Sequence, residues 1–268
     1  MNIMTLINAL PGAVAQGLIW GIMAIGVYLT FRILDFADLT VDGSMCTGGA
    51  VCIMMMQAGF GVWPSMLAAT GAGMLTGLAT GIFHTCMGIP AILSGILTQL
   101  SLYSVNLKIM GKANQAISVG KYDLLVSLRY IKGVPFYQNT IFVVAVFIVV
   151  LIAVLYWFFG TELGCAIRAT GCNSSMSRAQ GINTSFNKVL GLMVSNGLVA
   201  LSSALLAQYQ GFADINMGRG AIVIGLAAVI IGEAVFSKIF RNFALRLLGV
   251  ALGSILYYLV LQTVIWLG

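Results

Sequence analysis

Residues 161–188, TELGCAIRATGCNSSMSRAQGINTSFNK, are the most polar long stretch of a chain that is otherwise strongly apolar. An apolar run borders this stretch on each side, and residues that start and stop helices occur inside it. Asn173 can accept a backbone N–H as an N-cap, and Gly181 can adopt the left-handed conformation that ends a helix. The sequence therefore predicts a short polar helix of about two turns between two apolar segments.

The composition of the chain indicates that these apolar segments lie in a membrane. Of the 268 residues, 60% are hydrophobic and 7% are charged, whereas soluble domains carry about 25% charged residues. A spanning helix needs about 20 apolar residues, and the runs between charges leave room for about eight such helices. We expect an all-α polytopic membrane protein with one membrane domain over residues 1–268.

The predicted spans follow the runs between charges and turn residues. They cover residues 3–31, 40–58, 62–83, 89–107, 139–159, 189–208, 220–236 and 245–266. Glycines recur at four-residue spacing on the third span (Gly73, Gly77, Gly81) and on the last (Gly249, Gly253). Because small residues let helix backbones approach each other closely in lipid, these glycines predict tight helix packing.

The short polar helix has two interpretations. Isolated helices need about 12–15 residues to be stable in water, so a surface must hold one this short. Met176 and Ala179 form a small apolar face, whereas Ser177, Arg178 and Gln180 point elsewhere. The helix can act as a rigid lever between two spans, or it can be a linker that lies on the lipid headgroups.

Three segments resemble one family of membrane proteins, and they occur in the same order as in that family. They are FRILDFADLTVDGS (31–44), LSGILTQLSLYSVNLKIMGKAN (93–114) and the stretch from GCAIRATGCNSSMSRAQGI to IGEAVF (164–236). The pattern R-A-x-G-x-N-x-x-x-x-R-x-x-G-I within the third is the most specific. The chain resembles the permease subunits of ABC importers of the branched-chain amino-acid type, and most closely the tryptophan/tyrosine-type permeases.

The resemblance implies a role for the polar stretch. In this family the segment is a cytoplasmic coupling helix that docks in a groove of an ATPase subunit. Residues 1–268 would form a single transmembrane permease domain with a cytoplasmic coupling region at 161–188 and both termini on the opposite side. The implied ATPase-coupling residues are Arg168, Ala169, Gly171, Asn173, Ser174, Met176, Arg178, Gly181 and Ile182.

The resemblance also implies partners. The expected assembly is a homodimer in the cell (inner or plasma) membrane, with cytoplasmic ABC ATPase subunits and an extracytoplasmic substrate-binding protein. The chain itself contains no phosphate-binding loop, because the glycine–lysine pairs at Lys112 and Lys121 lack the preceding glycine and the following Ser or Thr. We therefore expect ATP and Mg on a separate chain, and neither a cofactor nor a nucleic-acid partner here.

Catalytic and metal sites are not expected. His84 is the one histidine, and together with nearby Cys86 it cannot supply the ligands of a zinc site. We also find no convincing pair of a nucleophile and a base, so the chain is predicted not to be an enzyme.

Three carboxylates follow the first predicted span. Asp35, Asp38 and Asp42 lie beside Arg32, and helical spacing would pair Arg32 with Asp35 and set Asp38 against Asp42. A charge at the bilayer centre costs about 2.5–3.5 kcal/mol, so these groups are expected at the interface or in a wet cavity. We interpret the four residues as a polar hinge; the alternative is a proton or ion site.

Polar residues inside the spans predict a translocation path. They can line such a path, or they can join helices through hydrogen bonds of about 0.6 kcal/mol each. Asp214 lies in a glycine-rich turn that can form an outer gate, and Glu233 is interpreted as an interfacial acid or a partner of Lys238. The path candidates are Ser94, Thr98, Ser101, Asn196, Ser203, Gln208 and Asp214.

The expected function is that of the membrane-spanning permease subunit of an ATP-driven ABC importer. The family resemblance suggests an amino acid, with aromatic amino acids among the candidates, or a similar small solute. The main alternative is an ion-coupled secondary transporter that works without an ATPase and carries the proton on Asp35, Asp38, Asp42, Asp214 or Glu233. A membrane scaffold without transport is a third class.

Overall fold

The described part of the chain is almost entirely helical. A computed structural model describes residues 3–117, 122, 124–128, 139–238, 240 and 242–267; Lys121 lies outside them. The helices are α1 (Ile3–Tyr28), α2 (Val41–Gln57), α3 (Val62–Thr85), α4 (Ala91–Met110), α5 (Thr140–Gly160), α6 (Glu162–Cys172), α7 (Ser174–Ala179), α8 (Thr184–Gln210), α9 (Ala221–Phe236) and α10 (Phe243–Leu267). A π-helical turn, Leu29–Ile33, extends α1. These elements confirm the predicted all-α class.

The predicted spans all coincide with helices, but not all of these helices are long and apolar enough to cross a membrane. Within the described residues, 5 meet that criterion: 9–33 (α1 with its π-helical turn), α3, α5, α8 and α10. α2 has 17 residues and α9 has 16. At 1.5 Å per residue such helices fall short of a hydrocarbon core of about 30 Å. The chain is a polytopic membrane protein, and eight spans remain a prediction.

Close backbone contacts hold the bundle together, as the glycine spacing predicted. α8 packs against α1, α2 and α3, and α10 packs against α1 and α9. A Cβ atom on Gly77 of α3 would collide with the backbone of α8 at Leu192, and one on Gly253 of α10 would collide with α9 at Ala228. Both helix pairs depend on the absence of these side chains.

Large apolar side chains cover the outside of the bundle. α5 exposes Val149, Val150, Val154 and Trp157, and α10 exposes Val264 and Ile265 near its end. An apolar exterior is what a bilayer requires of helices that face lipid.

Two short strands were not expected from the sequence. β1 (Asn114–Ala116) follows α4, β2 (Phe212–Asp214) follows α8, and the two pair antiparallel with Asn114 opposite Asp214. Gly111 and Gly211 end the preceding helices with left-handed φ angles of 65° and 80°, a conformation that glycine adopts without strain. The pair joins the ends of α4 and α8, so part of the predicted glycine-rich turn forms a strand.

Candidate functional site

Within the polar segment 161–188, α7 begins and ends where its capping residues predicted, whereas α6 was not predicted from the sequence. The backbone N–H of Met176 donates to Asn173 Oδ1 at 3.0 Å, so Asn173 is the N-cap of α7. Gly181 has a φ of 82°, and its N–H donates to the carbonyl of Arg178 at 3.0 Å. Both predicted caps are confirmed, and they set the length of a helix of 6 residues.

Hydrogen bonds to the neighbouring helices hold α7 in place. Arg178 Nε donates to Thr184 Oγ1 at 2.8 Å, which ties α7 to the start of α8. Asn187 Nδ2 donates to Thr170 Oγ1 at 3.3 Å and ties α8 to α6. Ser177 is buried, whereas Met176 is 61% exposed and Ala179 is exposed as well. The predicted apolar face therefore points away from the protein.

The end of α6 touches the end of α1. A Cβ atom on Gly171 would collide with the carbonyl oxygen of Ile33, the last residue of the π-helical turn. Leu34 follows that turn, is buried, and lies close to Gly191 of α8. A polar cavity of about 340 Å³ lies beside this contact, and Asp35, Asn173, Ser174 and Lys188 are among its lining residues. The α6 and α1 ends are thus in direct backbone contact.

The remaining residues of the predicted coupling set have varied surroundings. Arg168 is exposed, and its guanidinium lies 5.5 Å from the centre of the Phe243 ring at the start of α10, within the range of a cation–π contact. Ala169 and Ile182 are partly buried. The segment therefore contacts α1, α8 and α10 at once.

The predicted pairing of Arg32 with Asp35 is wrong. Arg32 Nε lies 2.9 Å from each carboxylate oxygen of Glu233, and Nη2 lies 2.5 Å from Oε2. Asp35 has a φ of 51°, so the chain leaves helical geometry after Ile33 and the i, i+3 spacing no longer applies. Of the two interpretations of Glu233, the pairing with Lys238 is replaced by this ion pair, which joins the ends of α1 and α9.

Asp38 is completely buried and has hydrogen-bond partners on both oxygens. Oδ1 accepts from the backbone N–H of Thr40 at 2.9 Å, and Oδ2 accepts from Asn196 Nδ2 at 2.7 Å. Ser44 Oγ donates to Asn196 Oδ1 at 2.5 Å. Asn196 lies halfway along α8, so the non-helical segment before α2 enters the bundle, where irregular backbone must be covered by protein.

Asp42 caps a different helix. Its carboxylate accepts the backbone N–H groups of Gly220 at 3.1 Å and Ile222 at 3.0 Å, at the start of α9. A carboxylate at a helix N-terminus is stabilised by unpaired N–H groups and by the helix dipole. Asp35, Asp38 and Asp42 therefore do not form one cluster, and the expected repulsion between Asp38 and Asp42 does not occur.

The predicted path residues are mostly inside this chain. Ser94, Thr98, Asn196, Ser203 and Gln208 are buried, whereas Ser101 is exposed and Asp214 is partly exposed.

Several of these buried groups join helices through hydrogen bonds. Thr80 Oγ1 donates to Thr98 Oγ1 at 2.8 Å and also contacts Thr40 Oγ1 at 2.6 Å. Ser203 Oγ donates to the carbonyl of Met45, and Gln208 Oε1 accepts from the N–H of Leu125 at 3.3 Å. Their role in a translocation path remains a prediction.

The sequence did not identify a second polar site between α2, α4 and the turn before α9. A cavity of about 290 Å³ is lined there by Asp42, Gln99, Tyr103, Asn106 and Arg219, among others. The available signal was the presence of amide side chains inside an apolar helix, since intramembrane polar groups are costly. Within the described residues no group of His, Cys, Asp and Glu side chains could hold a metal ion.

Comparisons with known proteins agree with this membrane architecture. Residues 10–268 match the model of the family described as branched-chain amino acid transport system / permease component. The chain is 37% identical over 261 residues to the tyrosine transport system permease protein of Clostridioides difficile (strain R20291), covering 97% of this chain and 84% of that protein.

Two further comparisons are more distant. The autoinducer 2 import system permease protein LsrC of Yersinia pestis (strain Pestoides F) is 28% identical over 223 residues, covering 79% of this chain and 58% of that protein. PsaBC from Streptococcus pneumoniae in complex with Fab shares 16% identity and a TM-score of 0.47, covering 97% and 95% of the two chains. The predicted family and the multi-pass membrane location are confirmed: the chain belongs to the ABC importer permease family described as branched-chain amino acid transport system / permease component.

Proposed function

We propose that this chain is the membrane-spanning subunit of an ATP-driven importer for an amino acid, and that α7 couples it to a cytoplasmic ATPase. The assembly contains two copies of the chain, two ATPase subunits that bind ATP and Mg, and an extracytoplasmic substrate-binding protein. The observation that carries the proposal is the exposed apolar face of α7, where Met176 is 61% exposed on a helix anchored at both ends.

The anchoring of α7 supports its use as a lever. A helix of 6 residues has no independent stability, so its shape depends on the Asn173 cap and the Arg178–Thr184 hydrogen bond. An ATPase groove that covers Met176 would bury its side chain, which stabilises the complex because apolar surface leaves water.

The contact between α6 and α1 supplies a route for the movement. Gly171 lies directly against the carbonyl of Ile33, so a displacement of α6 pushes on the end of α1. The Arg32–Glu233 ion pair carries that displacement to the end of α9. In this proposal, closure of the ATPases moves α1 and α9 together and changes the opening of the path between two copies of the chain.

The relatives support an amino-acid substrate and leave its identity to experiment. The relative with 37% identity is described as a tyrosine transport permease, which makes L-tyrosine the first substrate to test. LsrC is described as an autoinducer 2 import system permease protein, so similarity to these permeases does not restrict the substrate to amino acids.

Transport coupled to protons is the second candidate, because intramembrane carboxylates are the groups of which proton relays are built and Asp38 is buried in the bundle. Both oxygens of Asp38 accept hydrogen bonds, which fits a structural carboxylate better than a proton carrier. Uptake into proteoliposomes separates the two functions. The importer requires ATP and an ATPase, whereas the secondary transporter needs only a proton gradient.

A substitution on α7 tests the coupling directly. We expect Met176→Glu to abolish co-purification of the ATPase and ATP-dependent uptake, because it places a charge on the apolar face. Met87→Glu is the matched control, since Met87 follows α3 and is 63% exposed. Retained ATPase binding and coupled uptake in Met176→Glu would contradict the proposal.

A further inference from the structure

We infer that the cavity between α2, α4 and the turn before α9 binds an amino acid in its zwitterionic form. Arg219 faces the substrate carboxylate, and Asp42 and Asn106 face its ammonium group. This inference rests on the proposed import function and names the site within this chain that contacts the substrate.

The cavity lies beside α4 away from the ends of that helix, next to the first turn of α2 and the turn before α9. Gly43 packs against Gln99 and Leu102, which are in the middle of α4, so the neighbouring Asp42 is held at that level. Gly218 packs against the carbonyl of Asp42, which fixes the turn that carries Arg219. The volume of about 290 Å³ is at the lower end of ligand pockets and suits a solute of amino-acid size.

Arg219 supplies the positive charge of the cavity. Its side chain is exposed, and among the described residues no hydrogen bond or ion pair of its guanidinium is found. An arginine at membrane depth is costly unless it faces a polar cavity or an anion. The guanidinium fork matches a carboxylate with two parallel hydrogen bonds, so a substrate carboxylate would complete the site.

Asn106 and Asp42 supply acceptors. Asn106 is 1% exposed, its Nδ2 donates to the carbonyl of Gly43 at 3.4 Å, and its Oδ1 has no hydrogen-bond partner. A buried acceptor without a donor is rare in folded proteins. Asp42 accepts hydrogen bonds from the N–H groups of Gly220 and Ile222. A carboxylate offers about four acceptor positions, so some of those of Asp42 remain unused.

The positions of the donor and acceptor groups in the cavity indicate the class of ligand. A donor side chain on the α9 turn and two acceptors on α2 and α4 suit a molecule that carries both a carboxylate and an ammonium group. Tyr103 and Leu100 of α4 are exposed beside them and offer an apolar surface for a side chain. A simple cation would leave Arg219 unpaired, and a simple anion would leave the acceptors of Asp42 and Asn106 unpaired.

The test measures binding to the permease–ATPase complex in lipid nanodiscs without the substrate-binding protein. The probe is radiolabelled L-tyrosine, and the competitors are tyramine, which lacks the carboxylate, and 3-(4-hydroxyphenyl)propionate, which lacks the ammonium group. We expect saturable binding that L-tyrosine displaces about tenfold better than either competitor, since a buried polar group left unpaired is costly.

The variants test which side chain of the cavity binds each end of the ligand. Arg219→Gln is expected to weaken L-tyrosine binding about tenfold or more and to remove the preference over tyramine, because the carboxylate partner is lost. Asn106→Leu is expected to reduce the preference over the propionate analogue. Lys108→Gln, on an exposed residue of α4 outside the cavity, is the control and should bind like the original chain.

ATP-dependent uptake by the same complex with the substrate-binding protein added separates the two proposals. If uptake occurs but binding is absent, or is unchanged in Arg219→Gln and Asn106→Leu, the cavity is not the site and the import function stands. If the assembly shows no ATP-dependent uptake of any amino acid, the proposed function itself fails, and the site proposal fails with it.

Discussion

Arg32 and Glu233 form an ion pair that joins the ends of α1 and α9, with Arg32 Nη2 at 2.5 Å from Glu233 Oε2. The residues are 201 positions apart in the chain. The same end of α1 is in contact with α6 at Gly171, so three elements meet within one small region. This arrangement underlies the proposed movement of α1 and α9 together.

The ion pair itself is expected to contribute little to stability. Its side chains are 60% and 31% exposed, and exposed pairs contribute about 0–1 kcal/mol. Arg32→Gln, Glu233→Gln and the double variant should therefore have similar unfolding temperatures in detergent. Uptake should fall to the same extent in all three, because each removes the same link. Losses of uptake that multiply in the double variant would show that the two residues act independently.

The glycine contacts predict a contrast within α3. Gly77→Ala places a methyl group against the backbone of α8, whereas a Cβ atom on Gly71 would meet no other atom within 4 Å. Overpacking of this kind costs about 1–3 kcal/mol, so Gly77→Ala should lower the unfolding temperature. Gly71→Ala should leave it unchanged or raise it slightly, because alanine favours a helix. Equal effects would contradict the helix packing described for α3 and α8.

The cap of α7 predicts a selective loss of coupling. Asn173→Ala removes an N-cap that contributes about 1 kcal/mol, which is large for a helix of 6 residues. We expect weaker stimulation of the ATPase and slower uptake at an unchanged unfolding temperature. Asn183→Ala removes the equivalent cap of α8, where the N–H of Phe186 donates to Asn183 at 3.1 Å. That helix has 27 residues, so its function should persist; an equal loss in both variants would count against a special role for α7.

Asp38 is predicted to be structural. In Asp38→Asn the amide oxygen keeps the hydrogen bond from the Thr40 N–H. The new NH2 group then takes the place of Oδ2, so it faces the donor Nδ2 of Asn196. The mismatch leaves buried donors unpaired and should cost about 1–3 kcal/mol. Asp35→Asn, at an exposed position, should unfold like the original chain. A stable Asp38→Asn variant that lost only proton-driven uptake would support the secondary-transporter alternative instead.

Hydropathy and capping residues were sufficient to predict the helices at the eight proposed spans and the ends of α7, but they did not predict α6, the other helix of the polar segment. Long apolar runs require helices in a membrane, and Asn173 and Gly181 act through local geometry that is visible in the sequence. The two strands of three residues escaped prediction because they are too short to show alternation and depend on each other across the chain.

The partners of the charged residues could not be predicted from spacing. Arg32 selects Glu233 because the chain leaves helical geometry before Asp35, and Asp42 caps a helix 178 positions away. Both contacts depend on how the helices pack. The unpaired Oδ1 of Asn106 likewise becomes visible only when its neighbours are placed around it.

Photo-crosslinking from position 176 tests the coupling role of α7 most directly. A benzophenone amino acid replaces Met176 in the assembled, transport-active complex, and the same group at Trp157, an exposed residue of α5, serves as the control for lipid-facing positions. We expect the label at 176 to crosslink to the ATPase subunit and the label at 157 not to do so. A label at 176 that reacts only with lipid, or with a reagent added outside the cell, in a complex that still transports would contradict the account.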